Sequence, residues 1–341
     1  MPARPARKAP PRPLPKVSDD KRWLAAAAAL AARGRPLSKP NPAVGAIIVR
    51  DGVVVGRGHT QRGGRPHAEA QALDAAGDAA VDCTLYVTLE PCAHESSRGP
   101  SCADLIASSR LARIVVGCED PDPRTAGDGI ARIRASGIET LLLPSPESEA
   151  SLAGYLMMRR HGRPEVTLKL ATSLDGCIAT ASGESHWITG DEARAHCHAM
   201  RAKADAILVG GGTLRTDSPR LDVRLAGLED RSPERWVLTR GAAPEAWKAL
   251  PSPQAITQMA DTQYLFVEGG AGAASAFLAA GLVDRILLYR APIVIGGGQP
   301  CIGDIGLGSL VDAHGKWQLS DRRQLGSDTL EVYTRTPCSQ G

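Results

Sequence analysis

The feature that most constrains the fold is a set of four residues, His67, Glu69, Cys92 and Cys102, which stand where predicted elements begin or end. His67 and Glu69 belong to HAE at the start of a predicted helix, and Cys92 lies in the loop after the apolar strand CTLYVTL. Pro66 as the first helical residue and a helix start just before Cys102 would place two of these side chains at helix N-termini, where the helix dipole stabilises a thiolate.

These four residue types suit a catalytic zinc site. H-x-E followed by P-C-x-x-C is the pattern of zinc nucleobase deaminases, and here the second gap is longer. Catalytic zinc takes three protein ligands and leaves a fourth position for water, whose pKa falls towards about 7. We therefore expect His67, Cys92 and Cys102 to bind zinc and Glu69 to transfer protons.

Two other interpretations of the cysteines are weaker. A disulfide is disfavoured because eight cysteines in a long chain without a secretory signal indicate reduced thiols. A closed structural site that adds His94 as a fourth ligand has no need of Glu69. Cys83 lies in a predicted strand, where we expect it to pack.

Strands and helices alternate along the whole chain, which predicts two α/β domains. The composition changes at PSPES, and the helix that follows ends in MMRRHGRP. We place a disordered basic tail at residues 1–17, a first domain at 18–145, a linker helix at 146–164 and a second domain at 165–336. In the second domain, apolar strands run into glycines, which suggests strand ends that face a ligand.

Charge and hydropathy exclude several classes of protein. The longest apolar tract, WLAAAAALAA, is too short to span a membrane. The tail carries five of the positive charges, so the formal net charge of +3 becomes −2 for the remainder. The folded part therefore lacks a general attraction to a polyanion. We expect a cytoplasmic enzyme that acts on a small molecule, with no nucleic-acid or membrane partner.

The glycine clusters of the second half carry a weaker signal. VGGGT, EGGAG and IGGGQP do not match G-x-G-x-x-G, so the dinucleotide fingerprint is absent. They are consistent with simple turns or with backbone N–H groups that bind a pyrophosphate. Several arginines nearby are consistent with phosphate binding or with a solvated basic face.

Many ordered motifs together carry a family resemblance. They are KPNPAVGAIIV, RPHAEAQAL, YVTLEPCAH, EDPDPRTAGDG, LKLATSLDGCIA, SGESHWIT, DAILVGGGT, DSPRLDVR, FVEGG and LVDRILLYRAPIVIGG. The chain resembles the bifunctional riboflavin biosynthesis family, which fuses a diaminohydroxyphosphoribosylaminopyrimidine deaminase to a 5-amino-6-(5-phosphoribosylamino)uracil reductase. The resemblance implies an N-terminal cytidine-deaminase-like α/β/α sandwich and a C-terminal dihydrofolate-reductase-like α/β domain that uses NADPH.

The resemblance also implies site residues and a homo-oligomer. His67, Cys92 and Cys102 match the zinc ligands and Glu69 the proton donor. Lys169 and Asp217 are candidates to polarise or protonate the centre that is reduced. The implied NADPH contacts are Ala171, Trp187, Thr213, Asp217, Gly270, Ala271, Gly272, Ala273, Ala274, Ser275 and Ala276. The implied substrate contacts are Asn41, Ser185, Arg201, Leu221, Arg224 and Glu268.

The chain departs from the family pattern at several places. The gap between the zinc cysteines is one residue longer, and Ala43 and Thr60 replace a frequent asparagine and histidine. Between Arg224 and Glu268 the chain is shortened, and the expected V-x-D-S reads WVLTR. Two alternatives therefore stay open: a deaminase with a degenerate reductase half that acts as a scaffold, and a nucleic-acid base deaminase with an appended domain.

Overall fold

The computed structural model describes residues 17–94, 99–186 and 188–336, which divide into two compact units. Within these residues, unit 1 comprises 17–31, 44–59 and 67–151, and unit 2 comprises 32–43, 60–66 and 152–336. The predicted tail lies outside the described residues apart from Val17, which begins the first helix. The domain boundaries that we placed at 145 and 164 stay a prediction.

Unit 1 is a mixed sheet packed with helices. The strand order is β2-β1-β3-β4-β5; β1 pairs antiparallel with β2 and β3, while β3, β4 and β5 run parallel. The elements are α1 (Val17–Ala31), β1 (Gly45–Arg50), β2 (Val53–His59), α2 (Ala68–Ala76), β3 (Thr84–Val87), α3 (Cys102–Ala107), β4 (Arg113–Val116), α4 (Asp128–Ala135), β5 (Glu139–Leu142) and α5 (Pro146–Ser151).

Small residues let the helices of unit 1 lie unusually close to the sheet. A Cβ atom on Gly45 of β1 would stand 2.0 Å from the carbonyl oxygen of Ala27 in α1. A Cβ atom on Gly58 of β2 would stand 2.3 Å from the carbonyl oxygen of Ala68 in α2. The alanine-rich helices therefore pack backbone against backbone, and larger side chains at these contacts would push the layers apart.

A buried ion pair joins α1 to the sheet of unit 1. Arg113, the first residue of β4, donates from Nη1 and Nη2 to the two carboxylate oxygens of Asp20 at 2.8 and 2.9 Å. The Tyr86 hydroxyl of β3 donates to Asp20 Oδ1 at 2.9 Å. Because every partner is satisfied, the network sets the position of α1 without leaving a lone buried charge.

Unit 2 is a larger mixed sheet with helices on both faces. The strand order is β10-β9-β8-β11-β6-β12-β15-β14, parallel from β10 to β12 and antiparallel after it. The elements are α6 (Ala153–His161), β6 (Glu165–Thr172), β7 (Cys177–Ala179), α7 (Asp191–Arg201), β8 (Ala206–Gly210), α8 (Gly211–Asp217), β9 (Glu234–Leu238), β10 (Lys248–Leu250), β11 (Tyr264–Val267), α9 (Ala271–Ala279), β12 (Arg285–Arg290), β13 (Gln299–Pro300), β14 (Trp317–Leu325) and β15 (Asp328–Arg335).

The alternation of β6 determines which of its side chains can meet a ligand. Val166, Leu168 and Leu170 are buried in the apolar cluster that includes Phe277 of α9. The intervening side chains point to the opposite face because strand residues alternate. Lys169 and Ala171 thereby reach a cavity on that side.

The structure agrees with the predicted α/β class and corrects one detail. Each unit is built from helices on a mixed sheet, as the alternation indicated. We expected Pro66 to be the first helical residue, which is wrong: α2 begins at Ala68 and His67 is its N-cap residue. His67 therefore has an extended backbone, with φ of −70° and ψ of 162°.

Candidate active sites

The predicted zinc ligands of unit 1 come from two helix starts and the end of a strand. His67 is the N-cap residue of α2, and Cys102 is the first residue of α3. Ser101 caps α3 by accepting a hydrogen bond from the Asp104 amide at 3.1 Å. Cys92 follows β3, and its Sγ accepts a hydrogen bond from the Cys102 amide at 3.4 Å. The three side chains thus converge because their elements end at one place.

Their spacing fits a zinc ion. One ligand atom from each of His67, Cys92 and Cys102 lies within 4.8 Å of the others. His67 Nδ1 is 3.2 Å from Cys102 Sγ and 3.6 Å from Cys92 Sγ. A tetrahedral zinc with its usual bond lengths separates nitrogen and sulfur ligands by about 3.5 Å. Two sulfurs and one imidazole are also the donor types that zinc prefers.

The two thiols differ in acidity because they share a hydrogen bond. The Cys102 thiol, as donor, lowers the pKa of Cys92 to about 4. The same contact, with burial, raises the pKa of Cys102 well above its ordinary value. Cys92 is therefore the more acidic of the two thiols, and the thiolate is the form that binds metal.

Glu69 lies beside this cluster and is suited to proton transfer. Its side chain is buried, and burial raises its pKa to about 6, although the nearby His67 opposes that shift. A carboxyl group with a pKa near the working pH can both accept and return a proton. The HAE sequence places Glu69 in the first turn of α2, two residues after His67.

His94, the candidate fourth ligand, is not in this group. Among the described residues, the atoms that converge belong to His67, Cys92 and Cys102. Cys83 packs in the core, where its thiol donates to the Ala79 carbonyl oxygen at 3.0 Å. The cysteines of the described part are free, so the disulfide interpretation is excluded there. Glu95 lies outside the described residues.

Unit 2 has a cavity of about 300 Å³ at the carboxyl ends of β8, β11 and β6. Because β11 lies between β8 and β6, the residues that follow β11 face those that follow β8. The Gly270 amide donates to Thr213 Oγ1 at 3.1 Å and so joins the two glycine turns. Strand ends of an open α/β sheet are the usual place for a ligand.

A charged network lies in the wall of this cavity. Glu268 accepts two hydrogen bonds from Arg201, from Nε at 2.6 Å and from Nη2 at 2.8 Å. Lys169 Nζ lies 4.0 Å from Glu268 Oε2. Burial opposes the ionisation of Glu268, but Arg201 and Lys169 outweigh it and lower its pKa to about 2. Glu268 is therefore a fixed anion between two cations.

The cavity brings together nine of the residues predicted for unit 2 and leaves out the others, including Ala271, Gly272 and Ala276. Those that line it are Lys169, Ala171, Ser185, Arg201, Thr213, Asp217, Arg224, Glu268 and Gly270. Leu221 is buried in the core instead, and Ala273, Ala274 and Ser275 are buried in α9. Asn41, which we predicted as a substrate contact within the first domain, donates to the Gly64 carbonyl oxygen at 3.1 Å, and its role in substrate binding stays a prediction. Trp187 lies outside the described residues.

Sequence reasoning missed several lining residues, among them Cys197, His198 and Tyr289. Cys197 Sγ donates to Glu268 Oε1 at 3.3 Å, and His198 Nδ1 is 3.1 Å from the Asp222 carbonyl oxygen. Cys197, His198 and Arg201 lie within two turns of α7, so helical spacing from Arg201 was a signal that could have found the first two. Tyr289 lies in an apolar strand, and its sequence context carries no such signal.

The departure at WVLTR lies at the end of β9. Thr239 follows this strand and donates from its amide to the Leu250 carbonyl oxygen at 2.9 Å. Its Oγ1 accepts from the Gly241 amide at 3.1 Å. The replaced residues thus form an ordered turn next to β8.

Comparison with known proteins shows the family and the two kinds of domain. Residues 17–118 match the model for the cytidine and deoxycytidylate deaminase zinc-binding region, and residues 164–330 match that for the RibD C-terminal domain. The riboflavin biosynthesis protein RibD of Escherichia coli is 36% identical over 91% of this chain and 97% of its own length. The chain belongs to the RibD family. RibD of Mycobacterium tuberculosis is 37% identical over 85% of the chain and 90% of that protein.

Solved RibD structures share the fold over nearly the whole chain. RibD of Acinetobacter baumannii, 33% identical, covers 94% of this chain and all (100%) of its own with a TM-score of 0.82. The deaminase/reductase of Thermotoga maritima, 29% identical, covers 93% of this chain and 99% of its own, also with a TM-score of 0.82. The resemblance inferred from the motifs is confirmed, as is the combination of a cytidine-deaminase-type domain with a RibD reductase domain. This RibD family member is therefore an enzyme with a zinc-binding deaminase domain and a reductase domain consistent with NADPH use.

None of the helices in the described residues combines the length and hydrophobicity of a membrane span.

Proposed function

We propose that this chain catalyses two consecutive steps of riboflavin biosynthesis. Unit 1 hydrolytically deaminates 2,5-diamino-6-(ribosylamino)pyrimidinone 5′-phosphate. Unit 2 then reduces the ribosyl group of 5-amino-6-(5-phosphoribosylamino)uracil to ribityl with NADPH. The observation that carries the proposal is that a His-Cys-Cys cluster with a buried glutamate and a charged strand-end cavity occur on one RibD-family chain.

In the deamination, His67, Cys92 and Cys102 would hold zinc and Glu69 would move the proton. Bound zinc supplies Lewis acidity, which lowers the pKa of a water in the fourth position towards about 7. Glu69 would take one proton from the attacking water and deliver it to the ring nitrogen, and would then pass the second proton of that water to the leaving amine. The carbon gains oxygen and loses ammonia, so atoms and charge balance.

In the reduction, the side chains of the cavity would orient the substrate and supply a proton. NADPH supplies the hydride, which the ribosyl C1′ accepts. The ring oxygen must then take up one proton as the C1′–O bond opens. Lys169 is our candidate donor because it faces the cavity and lies beside the fixed anion Glu268. Asp217, exposed at the end of α8, is the second candidate.

The decisive experiment incubates the zinc-loaded protein with the diaminopyrimidine substrate, with and without NADPH, and identifies the products by mass spectrometry. Without NADPH we expect replacement of the amine by oxygen. With NADPH we expect a further gain of two hydrogens. A product that stalls after deamination in the presence of NADPH would favour a degenerate reductase half. No deamination at all would contradict the proposal for unit 1.

We also propose that the enzyme is a cytoplasmic homo-oligomer that acts on small molecules and not on nucleic acid. An exposed apolar group in unit 2 supports the oligomer: Leu174, Ile293 and Val294 are 55%, 41% and 71% exposed, and the Leu174 amide donates to the Ile293 carbonyl oxygen. Light scattering after gel filtration tests the assembly. Salt-dependent binding to RNA would instead favour the nucleic-acid deaminase.

A further inference from the structure

Glu90, two residues before the zinc ligand Cys92, is a buried carboxylate that the reaction does not use. Its side chain is 2% exposed. In the described part of the chain it forms no ion pair, and its partners there are backbone amides alone. Oε2 accepts from the Asp120 amide at 3.3 Å and from the Gly127 amide at 3.1 Å. Oε1 accepts from the Ile130 amide at 3.0 Å.

Two of these amides, those of Gly127 and Ile130, join the segment that carries Cys92 to the start of α4. Gly127 is the N-cap residue of α4, and Ile130 is in its first turn. The amides have no partner within the helix, so the Glu90 carboxylate caps α4 from another segment of the chain. The helix dipole also favours a negative charge at this end.

The backbone on both sides of Glu90 is held as well. The Glu90 amide donates to the Cys118 carbonyl oxygen at 2.8 Å. A Cβ atom on Gly129 of α4 would stand 2.0 Å from the Pro91 carbonyl oxygen, so the helix packs directly on the next residue. The Cys92 carbonyl oxygen then accepts from the Ala103 amide at 3.1 Å. Backbone contacts thus hold each residue from Glu90 to Cys92 in place.

We infer that Glu90 is a positioning residue of the metal centre, which holds the Pro91-Cys92 segment so that the Cys92 sulfur stands ready for zinc. This role rests on the proposed zinc site and adds a residue that touches neither metal nor substrate. Outer groups that orient metal ligands commonly change metal affinity when they are replaced. A glutamine has the same shape but turns an N–H₂ group towards one or two of the three amides.

The test compares Glu90→Gln with Asp20→Asn. Asp20 is also buried in unit 1, but its partner Arg113 begins β4, at the sheet end opposite to Cys92. We expect Glu90→Gln to weaken zinc binding by about 10- to 100-fold in a chelator competition. The cobalt-substituted protein should show a shifted thiolate charge-transfer band. Asp20→Asn should lower the unfolding temperature and leave both metal readouts unchanged.

If Glu90→Gln binds zinc and cobalt as the wild type does, Glu90 only caps α4 and the inference is overturned. Reduction of the deaminated substrate by unit 2 reports on folding of the remaining chain and should not change. A wild-type protein that binds no zinc would contradict the proposed function and leave no metal centre for Glu90 to position.

A second measurement needs no variant and decides the matter if Glu90→Gln does not fold. Coupling is reciprocal, so removal of zinc from the wild type should loosen the contacts of Glu90. We expect a chelator to accelerate hydrogen exchange at the Gly127 and Ile130 amides. The Gln263 and Tyr264 amides, which donate to the buried Asp205 of unit 2 at 2.9 Å, are the matched control. Equal exchange with and without zinc at Gly127 and Ile130 overturns the inference.

Discussion

At the scale of single residues, Glu69 and Glu268 show how the same side chain acquires opposite properties. Both are buried. Burial dominates at Glu69 and raises its pKa to about 6, whereas the Arg201 guanidinium outweighs burial at Glu268 and lowers its pKa to about 2. One carboxyl group can therefore exchange protons near neutral pH, and the other remains a constant charge that orients its neighbours.

Replacement of Glu69 by glutamine should stop deamination without emptying the metal site. We expect the deamination rate to fall roughly 10²- to 10⁴-fold because no group remains to transfer the proton. Zinc content and reduction of the deaminated substrate should be unchanged, since His67, Cys92 and Cys102 remain. Stopped-flow absorbance measures the deamination rate, and metal analysis measures the zinc content. Deamination at the wild-type rate would exclude the role we assign to Glu69.

Glu268 should make stability depend on acid. Its folded pKa of about 2 lies below the ordinary value of 4.5, so its stabilisation is present above pH 4.5 and is lost as the pH falls towards 2. As the pH falls, the unfolding free energy of the wild type should decrease by about 3 kcal/mol through this group. Glu268→Gln should not show this decrease. Urea unfolding at each pH measures the difference. Glu245→Gln, at an exposed site of the same unit, is the control. A difference in unfolding free energy between wild type and Glu268→Gln that does not change with pH would refute the assignment.

At the scale of elements, the sequence predicted the type and order of most helices and strands but not how the strands assemble. The start of α2 was misplaced because proline is favoured in a first turn, yet here Pro66 precedes the N-cap residue His67. The zinc set was predictable because its residue types have few other uses at that spacing. The Arg201–Glu268 pair was not derivable from local pattern, since the two meet only because β11 inserts between β8 and β6.

The ion pair between α1 and β4 should contribute far more to stability than a surface pair. Arg113→Met leaves Asp20 buried without its cation and should cost about 3–5 kcal/mol in unfolding free energy. Arg110→Met breaks the surface pair with Asp78, in which the two side chains are 67% and 100% exposed. This change should cost at most about 1 kcal/mol in unfolding free energy. Urea unfolding of the two variants, monitored by circular dichroism, compares these costs. Equal costs would show that the buried network is not a determinant of α1 docking.

At the scale of the whole molecule, unit 2 is assembled from three separate stretches of chain. Residues 32–43 and 60–66 belong to it although they precede most of unit 1 in sequence. Arg35 stacks on Tyr264, with Cζ 3.2 Å from the ring centroid, and the Gln263 side chain donates to the Pro40 carbonyl oxygen at 3.0 Å. Arg62 pairs with Asp230 at 2.5 Å. The two short stretches therefore complete a surface that the longest one leaves uncovered.

A chain that begins at Leu152 should consequently be less stable than unit 2 in the intact protein. It lacks the stretches that cover Tyr264 and Gln263, both of which are buried. We expect faster proteolysis near residues 261–264 and a lower unfolding temperature. Arg35→Ala in the intact protein removes one of these contacts and should shift stability in the same direction by a smaller amount. Identical thermal unfolding of the short chain and of unit 2 would contradict this.

Because stretches of unit 2 lie between stretches of unit 1 along the chain, the gene cannot be divided at one point without damage to a unit. A single break in the reading frame would release a unit 1 that still carries both short stretches and a unit 2 that has lost them. Gene fission at one point would thus yield one product with surplus backbone and one with a gap. For this chain, the route of the backbone therefore opposes a separation of the two units by a single break.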